Sequence, residues 1–175
     1  SGLGYLTDLQ NHLHETTGTI ATITGRYYAM DRDKRWERVK LAYDALTKAE
    51  GGKYNNVLEG VTTSYTNGVT DEFMKPIINS SVADTRIKNG DAVICFNFRT
   101  DRCREITVAL TQQDFPDYKM QKLRLHYTTM TEYDKTYSNV QVIFETDNLS
   151  QTLGEVLQQH NKPLIRIKKK KKYPH

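Results

Sequence analysis

Asn89-Gly90-Asp91-Ala92-Val93-Ile94-Cys95-Phe96-Asn97-Phe98-Arg99-Thr100-Asp101-Arg102 passes from a turn through an apolar run into a charged segment. Asn-Gly-Asp is a strong turn signal. The unbroken apolar run Ala92–Phe96 predicts an interior strand covered on both faces, as parallel strands usually are. The polar residues Arg99–Arg102 follow at once, and the pattern predicts a helix continuing to Leu110. A strand that gives way directly to a helix is the repeating unit of α/β folds.

The same alternation extends in both directions. Upstream, Leu6, Leu9 and Leu13 make a helical stripe closed by Gly18, and the β-branched run Ile20–Thr24 predicts a buried strand ending at Gly25. Trp36, Val39, Tyr43 and Leu46 define the clearest amphipathic helix, which Gly51-Gly52 ends. Val57, Val61 and Tyr65 suggest a shorter helix stopping at Asn67-Gly68. Downstream, Leu123–Met130 and Val140–Phe144 predict strands, and Thr152 and Glu155 have capping-box spacing ahead of a short helix. Leu164–Ile167 predicts a closing strand. The expected class is α/β, a mixed sheet with helices packed on its faces. Ile20–Thr24 and Ala92–Phe96 are expected in the same sheet, opening on the same side. No internal repeat and no linker divides the chain.

Composition narrows the function classes. A chain of 175 residues suits one domain with a sizeable core. No run approaches the ~18 apolar residues of a membrane span, and no signal peptide is evident, so a cytoplasmic location is expected, with no membrane partner. Cys95 and Cys103 are too close together to frame a disulfide scaffold and are expected as free thiols. The net charge of +4 comes from one run, since without Lys168–Lys172 there are 20 basic against 21 acidic residues. Such a terminal run is usually a solvated flank, and nucleic acid is not an expected partner.

Signatures of common enzyme classes are missing. There is no GxGxxG, P-loop, GxSxG or HExxH, and neither the histidines nor the cysteines have metal-ligand spacing. Two segments that end strands carry the candidate chemistry, Gly25-Arg26-Tyr27-Tyr28-Ala29-Met30-Asp31-Arg32-Asp33 and Phe96–Arg102. α/β proteins bind ligands beyond the carboxyl ends of their strands. Arginine offers a rigid fork of donors that suits phosphate or carboxylate. Two readings follow: the arginines converge on an anion, or each pairs with a neighbouring aspartate at the surface for about 0–1 kcal/mol.

The run Gly25–Val39 resembles the hallmark segment of cofactor-independent phosphoglycerate mutases, and Phe96–Arg102 resembles their second arginine motif, with Thr100 where proline is more usual. Gly68-Val69-Thr70-Asp71-Glu72-Phe73 and Thr152-Leu153-Gly154-Glu155-Val156 are similar to further segments of the family, in the same order. The resemblance covers essentially the whole chain. It implies interconversion of 3-phosphoglycerate and 2-phosphoglycerate through a phosphoserine intermediate, a step of glycolysis and gluconeogenesis. It also implies a sheet curling toward a barrel. In that family a substrate-binding domain is inserted into a phosphatase-like domain, which holds the serine and two divalent metals, manganese or magnesium.

The resemblance makes residues 1–167 the later part of the substrate-binding domain, and 168–175 the return to the phosphatase-like domain. On this basis the chain carries no catalytic or metal residue and is expected to be inactive alone. Its partners are then the phosphoglycerate substrate and the enzyme's own phosphatase-like domain. Arg26, Arg32, Arg99, Arg102 and Lys172 match the family's substrate-binding positions. Lys172 is preceded here by Lys168–Lys171, where the family has a small residue, Glu, Thr and Glu. The rival class is a non-catalytic anion-binding module that recognises acidic partners.

Overall fold

In the computed structural model, which describes residues 1–145, 150–163 and 165, helices and strands alternate as expected, but the strands form two sheets. The chain divides into two compact units, Ser1–Glu145 and Thr146–His175, and both sheets belong to the first.

The first sheet contains β1 (Thr22–Ile23), β2 (Gly52–Tyr54) and β3 (Ile77–Asn79), in the order β1-β3-β2. β3 runs antiparallel to β1 and parallel to β2. Helices α1 (Gly2–Glu15) and α4 (Val57–Thr66) serve this sheet. Val57, Val61, Met74 and Ile77 form its core, with Leu3 and Leu6 packed against them. The α4 stripe supplies Val57 and Val61 to this core, whereas of the α1 stripe Leu6 packs against it and Leu9 is 44% exposed. Asn56 caps α4 by accepting a hydrogen bond from the Leu58 amide at 3.1 Å.

The second sheet is parallel, with β4 (Ala92–Cys95), β5 (His126–Thr131) and β6 (Val140–Phe144) in sequence order. Its core also draws on α3 (Trp36–Lys48) and α5 (Arg104–Thr107), which continues as a π-helical turn over Val108–Gln112. Val39, Ala42, Tyr43, Ile106, Leu110 and Tyr127 make up much of this core. The Tyr43 hydroxyl is satisfied in both roles, donating to the Gln121 carbonyl at 2.5 Å and accepting from the Gln121 amide at 3.1 Å. Buried Asp44 is held on its own helix by Lys40 and by Lys48, the latter at 2.7 Å.

Two expectations are corrected. Ile20–Thr24 and Ala92–Phe96 contribute to different sheets. β4 is an edge strand rather than an interior one. Ile94 is 67% and Phe96 82% exposed, and Ile143 on β6 is half exposed. Val93 and Cys95 turn toward the core while Ile94 points away from it. An apolar run that fits cover on both faces is covered here on one.

In the second unit, α6 (Leu153–Gln159) begins with the predicted capping box. The Glu155 carboxylate accepts from the Thr152 amide at 2.8 Å, and the Thr152 hydroxyl accepts from the Glu155 amide at 3.4 Å. Of the expected strand Leu164–Ile167 only Ile165 is described, and Lys168–Lys172 lie outside the described residues. Among the described residues no helix is long and apolar enough to cross a membrane.

Candidate functional site

Gly25 lets the chain leaving β1 pass directly against the backbone of residues 71–74. Its amide donates to the Met74 carbonyl at 2.8 Å, and a Cβ here would lie 2.5 Å from the Glu72 carbonyl oxygen and 2.6 Å from the Met74 nitrogen. Its φ of −62° is ordinary, so the requirement is space rather than backbone freedom. Gly25→Ala is therefore expected to cost about 1–3 kcal/mol, as overpacking against backbone usually does. Thermal unfolding followed by circular dichroism should show a lower Tm, and an unchanged Tm would mean that the 71–74 segment yields freely.

The one-turn helix α2 (Arg26–Ala29) starts at this contact. Arg26 donates to Glu72 at 2.8 Å, and this hydrogen bond, with the charge of Glu72, holds its pKa above the ordinary value. Tyr27 meets Tyr28 edge-on, with ring centroids 5.2 Å apart, and lies 5.1 Å from Phe73. The Arg38 guanidinium sits 4.0 Å over the Tyr27 ring, and Trp36 stacks on Phe115 at 4.1 Å. These aromatics pack the segment into place.

Asp31 organises the turn that follows. Its buried carboxylate accepts from the amides of Asp33 at 3.0 Å and Arg35 at 2.9 Å, and pairs with Arg38 at 3.5 Å. This turn carries Arg32 toward the loop after β4. There Arg32 donates to Asp101 at 3.0 Å, and Arg99 grips the same carboxylate through Nε at 3.2 Å and Nη2 at 2.9 Å. Burial pushes the Asp101 carboxyl up, but the bonds from Arg32 and Arg99 outweigh it and leave its pKa below the usual value. Arg102 closes the junction by donating to the Met30 carbonyl at 3.3 Å. Three cations thus surround one carboxylate and one carbonyl, and the Arg32 and Arg99 side chains remain 48% and 69% exposed.

The two loops expected to form the site do meet, although their strands belong to separate sheets. Arg32, Arg99 and Arg102 come together around Asp101 and Met30. Arg26 lies one helical turn before Met30, whose amide donates to the Arg26 carbonyl, but its guanidinium is engaged by Glu72. Lys172 lies outside the described residues. The surface-pairing reading holds in part, because Arg99 does pair with the aspartate two residues away. An open cleft of about 700 Å³ at the other end of the parallel sheet, lined by Asn89, Arg124, His126 and Asn139, contains none of these arginines.

Sequence reasoning missed two acidic residues beside the arginines, Asp31 as the organiser of its turn and Glu105. Glu105 is 8% exposed, and one carboxylate oxygen is buried without a partner. Its signal was its place beside Ile106 on a helix whose inward face is apolar. Burial, reinforced by the charges of Asp31 and Asp33, raises its pKa. Because the folded-state pKa is the higher one, the penalty is absent below the carboxylate range and sets in as pH rises through the folded value. Glu105→Gln is therefore expected to raise Tm by about 2–4 °C at pH 7, corresponding to about 1 kcal/mol, with little gain at pH 4. An equal gain at both pH values would show that charge is not the cause.

Comparison with known proteins gives a consistent answer. Residues 1–135 match the family model described as BPG-independent PGAM N-terminus (iPGM_N). The 2,3-bisphosphoglycerate-independent phosphoglycerate mutase of Flavobacterium psychrophilum is 50% identical over 180 residues, covering 100% of this chain and 35% of that protein. The protein of the same name from Flavobacterium johnsoniae is 52% identical over 179 residues, with the same coverage. The chain thus spans about a third of the length of these relatives. Among solved structures, a phosphoglycerate mutase of Leishmania mexicana, crystallised at low cobalt concentration, matches with a TM-score of 0.71 and 26% identity. That match covers 91% of this chain and 31% of the other. With a family model spanning most of its length and relatives about half identical from end to end, the chain belongs to the BPG-independent PGAM N-terminus family.

Proposed function

We propose that this chain is the substrate-gripping part of a phosphoglycerate mutase that interconverts 3-phosphoglycerate and 2-phosphoglycerate, with Arg26, Arg32, Arg99 and Arg102 holding the ligand. Lys172, in the segment 168–175 that leads on to the phosphatase-like remainder of the longer protein, is assigned a ligand-binding role on the resemblance alone. The observation that carries the reading is the meeting of the loops after β1 and β4 through Arg32–Asp101 and Arg102–Met30. Arg32 spends one nitrogen and Arg99 two on Asp101, so each keeps N–H groups for a ligand. A phosphoglycerate presents a carboxylate and a phosphate together, and guanidinium groups bind both through charge-assisted hydrogen bonds without titrating near neutral pH.

During transfer the glycerate has to reorient without leaving. A cluster of fixed cations holds it by whichever anionic group is not reacting. The serine that receives the phosphoryl group is assigned to the remainder of the protein. Among the described residues no group of three or more His, Cys, Asp or Glu could hold a metal ion. The two divalent metals, like the serine, are assigned to the remainder of the protein. A cytoplasmic setting follows from the glycolytic role.

The test is an NMR titration of the chain with 3-phosphoglycerate. Affinity is expected on the order of millimolar, about −4 kcal/mol, because the site is open to water. Shifts should appear first at Gly25–Arg32 and Phe98–Arg102 and vanish in high salt. Shifts confined to Lys168–Lys172, or equal responses to any anion, would favour the general anion-binding module. The chain alone is expected to show no mutase turnover with manganese, and turnover above blank in a coupled assay would overturn the assignment.

A further inference from the structure

β4 pairs with β5 as far as Cys95 and Thr129, and the loop that carries Arg99 and Arg102 leaves the ladder there. Two side chains, one at the end of β5 and one just beyond it, then hold the loop. The Tyr133 hydroxyl donates to the Asn97 carbonyl at 2.5 Å, and the Thr131 hydroxyl donates to the Phe98 carbonyl at 2.9 Å. The Asn97 side chain completes the anchor, accepting from the Arg99 amide at 3.3 Å and donating to Cys103 Sγ at 3.2 Å. Asn97, Phe98 and Arg99 thus each have a backbone group tied down. We propose that Tyr133 and Thr131 are positioning residues for ligand binding, holding the backbone that leads into Arg99 so that its guanidinium stays aimed at a phosphoglycerate anion.

A buried tyrosine needs some partner for its hydroxyl, so burial alone accounts for one bond from Tyr133, which is 2% exposed. The choice of acceptor is the informative part. The Cys95 carbonyl, within β4, is 3.4 Å away, and the closer acceptor is the Asn97 carbonyl out in the loop. Thr131 is an independent observation. Its bond to Phe98 lies at the surface, where water can satisfy a hydroxyl, so burial does not demand it. Each hydroxyl has a single proton and spends it on the loop. Both residues therefore act through the arginine that follows rather than by donating to the ligand. A guanidinium grips an anion well only when its fork is aimed, and a loop free to shift by about 1 Å loses that aim. This positioning role rests on the reading of Arg99 as a ligand-binding residue.

Four variants of the chain, Tyr133→Phe, Thr131→Val, Thr131→Ser and Tyr127→Phe, are compared by amide exchange without ligand and by NMR titration with 3-phosphoglycerate. Tyr133→Phe keeps the ring in the core and removes only the hydroxyl. Amide exchange across Phe96–Arg102 should quicken by about tenfold in this variant, with α4 unchanged, and affinity should fall by about three- to tenfold. Thr131→Val should act in the same direction, and Thr131→Ser, which keeps the hydroxyl, should retain the values of the unsubstituted chain. Tyr127→Phe is the control for stability alone, because Tyr127 lies in the same core and its hydroxyl is 3.1 Å from that of Thr107, away from the loop. It should lower Tm and leave loop exchange and affinity unchanged. Unaltered loop exchange in Tyr133→Phe, faster exchange with affinity intact, or equal effects on the loop from Tyr133→Phe and Tyr127→Phe would each overturn the proposal. Failure of the underlying reading looks different: the unsubstituted chain then shows no 3-phosphoglycerate shifts at Phe98–Arg102, and the positioning role falls with it.

Discussion

Arg99→Ala in the longer protein is expected to lower kcat/KM by about ten- to a hundredfold, the loss of one charge-assisted hydrogen bond worth roughly 1.5–3 kcal/mol. Two effects add. The variant loses the donors that Arg99 does not spend on Asp101, and it leaves Asp101 to neutralise Arg32 alone. Arg99→Lys should recover only part of the loss, because an ammonium cannot grip Asp101 and a ligand through one planar fork. Arg86→Ala is the control, since Arg86 is exposed and pairs with Asp84 two residues away. Arg38 is unsuitable as a control because it covers Tyr27 and pairs with buried Asp31. Equal losses from Arg99→Ala and Arg86→Ala would make Arg99 an ordinary surface residue.

Features encoded locally were legible in the sequence. β6 spans Val140–Phe144 as predicted, α3 and α4 follow their apolar stripes, and Thr152 and Glu155 cap α6. β2 and β3 were not, because three-residue strands are too short to show a period and Gly52-Lys53-Tyr54 has no apolar alternation. The division into two sheets escaped notice for a related reason. A run such as Ala92–Phe96 states that it is apolar on both sides, not which strand lies beside it. At the site, the arginines were visible as residues, as was the pairing of Arg99 with its neighbour Asp101, but their distant partners were not. Arg32 and Asp101 are 69 positions apart, and Arg26 and Glu72 are 46 apart. No local pattern encodes such pairings. The resemblance supplied which arginines to consider, and only the fold supplied the distant carboxylates, Asp101 for Arg32 and Glu72 for Arg26.

Asp31→Ala should be the most damaging single change to the fold around these arginines. One buried carboxylate accepts the Asp33 and Arg35 amides and pairs with Arg38, so its removal orphans two backbone donors and a cation together. Each lost bond costs about 1 kcal/mol or more, but Arg38 is 27% exposed and recovers part of its share from water. The expected total is about 2–3 kcal/mol, a fall in Tm on the order of 4–12 °C. Asp31→Asn separates the contributions: the side-chain carbonyl still accepts from the backbone while the charge facing Arg38 is gone, so about 1 kcal/mol is expected. Because the same turn aims Arg32 at Asp101, Asp31→Ala should also weaken the 3-phosphoglycerate shifts at Phe98–Arg102, a segment it does not touch. A Tm within the ~0.5 kcal/mol equivalent of an ordinary surface substitution would show that the turn holds its shape without Asp31. A large fall in Tm with those shifts intact would show that Arg32 is positioned by Asp101 alone.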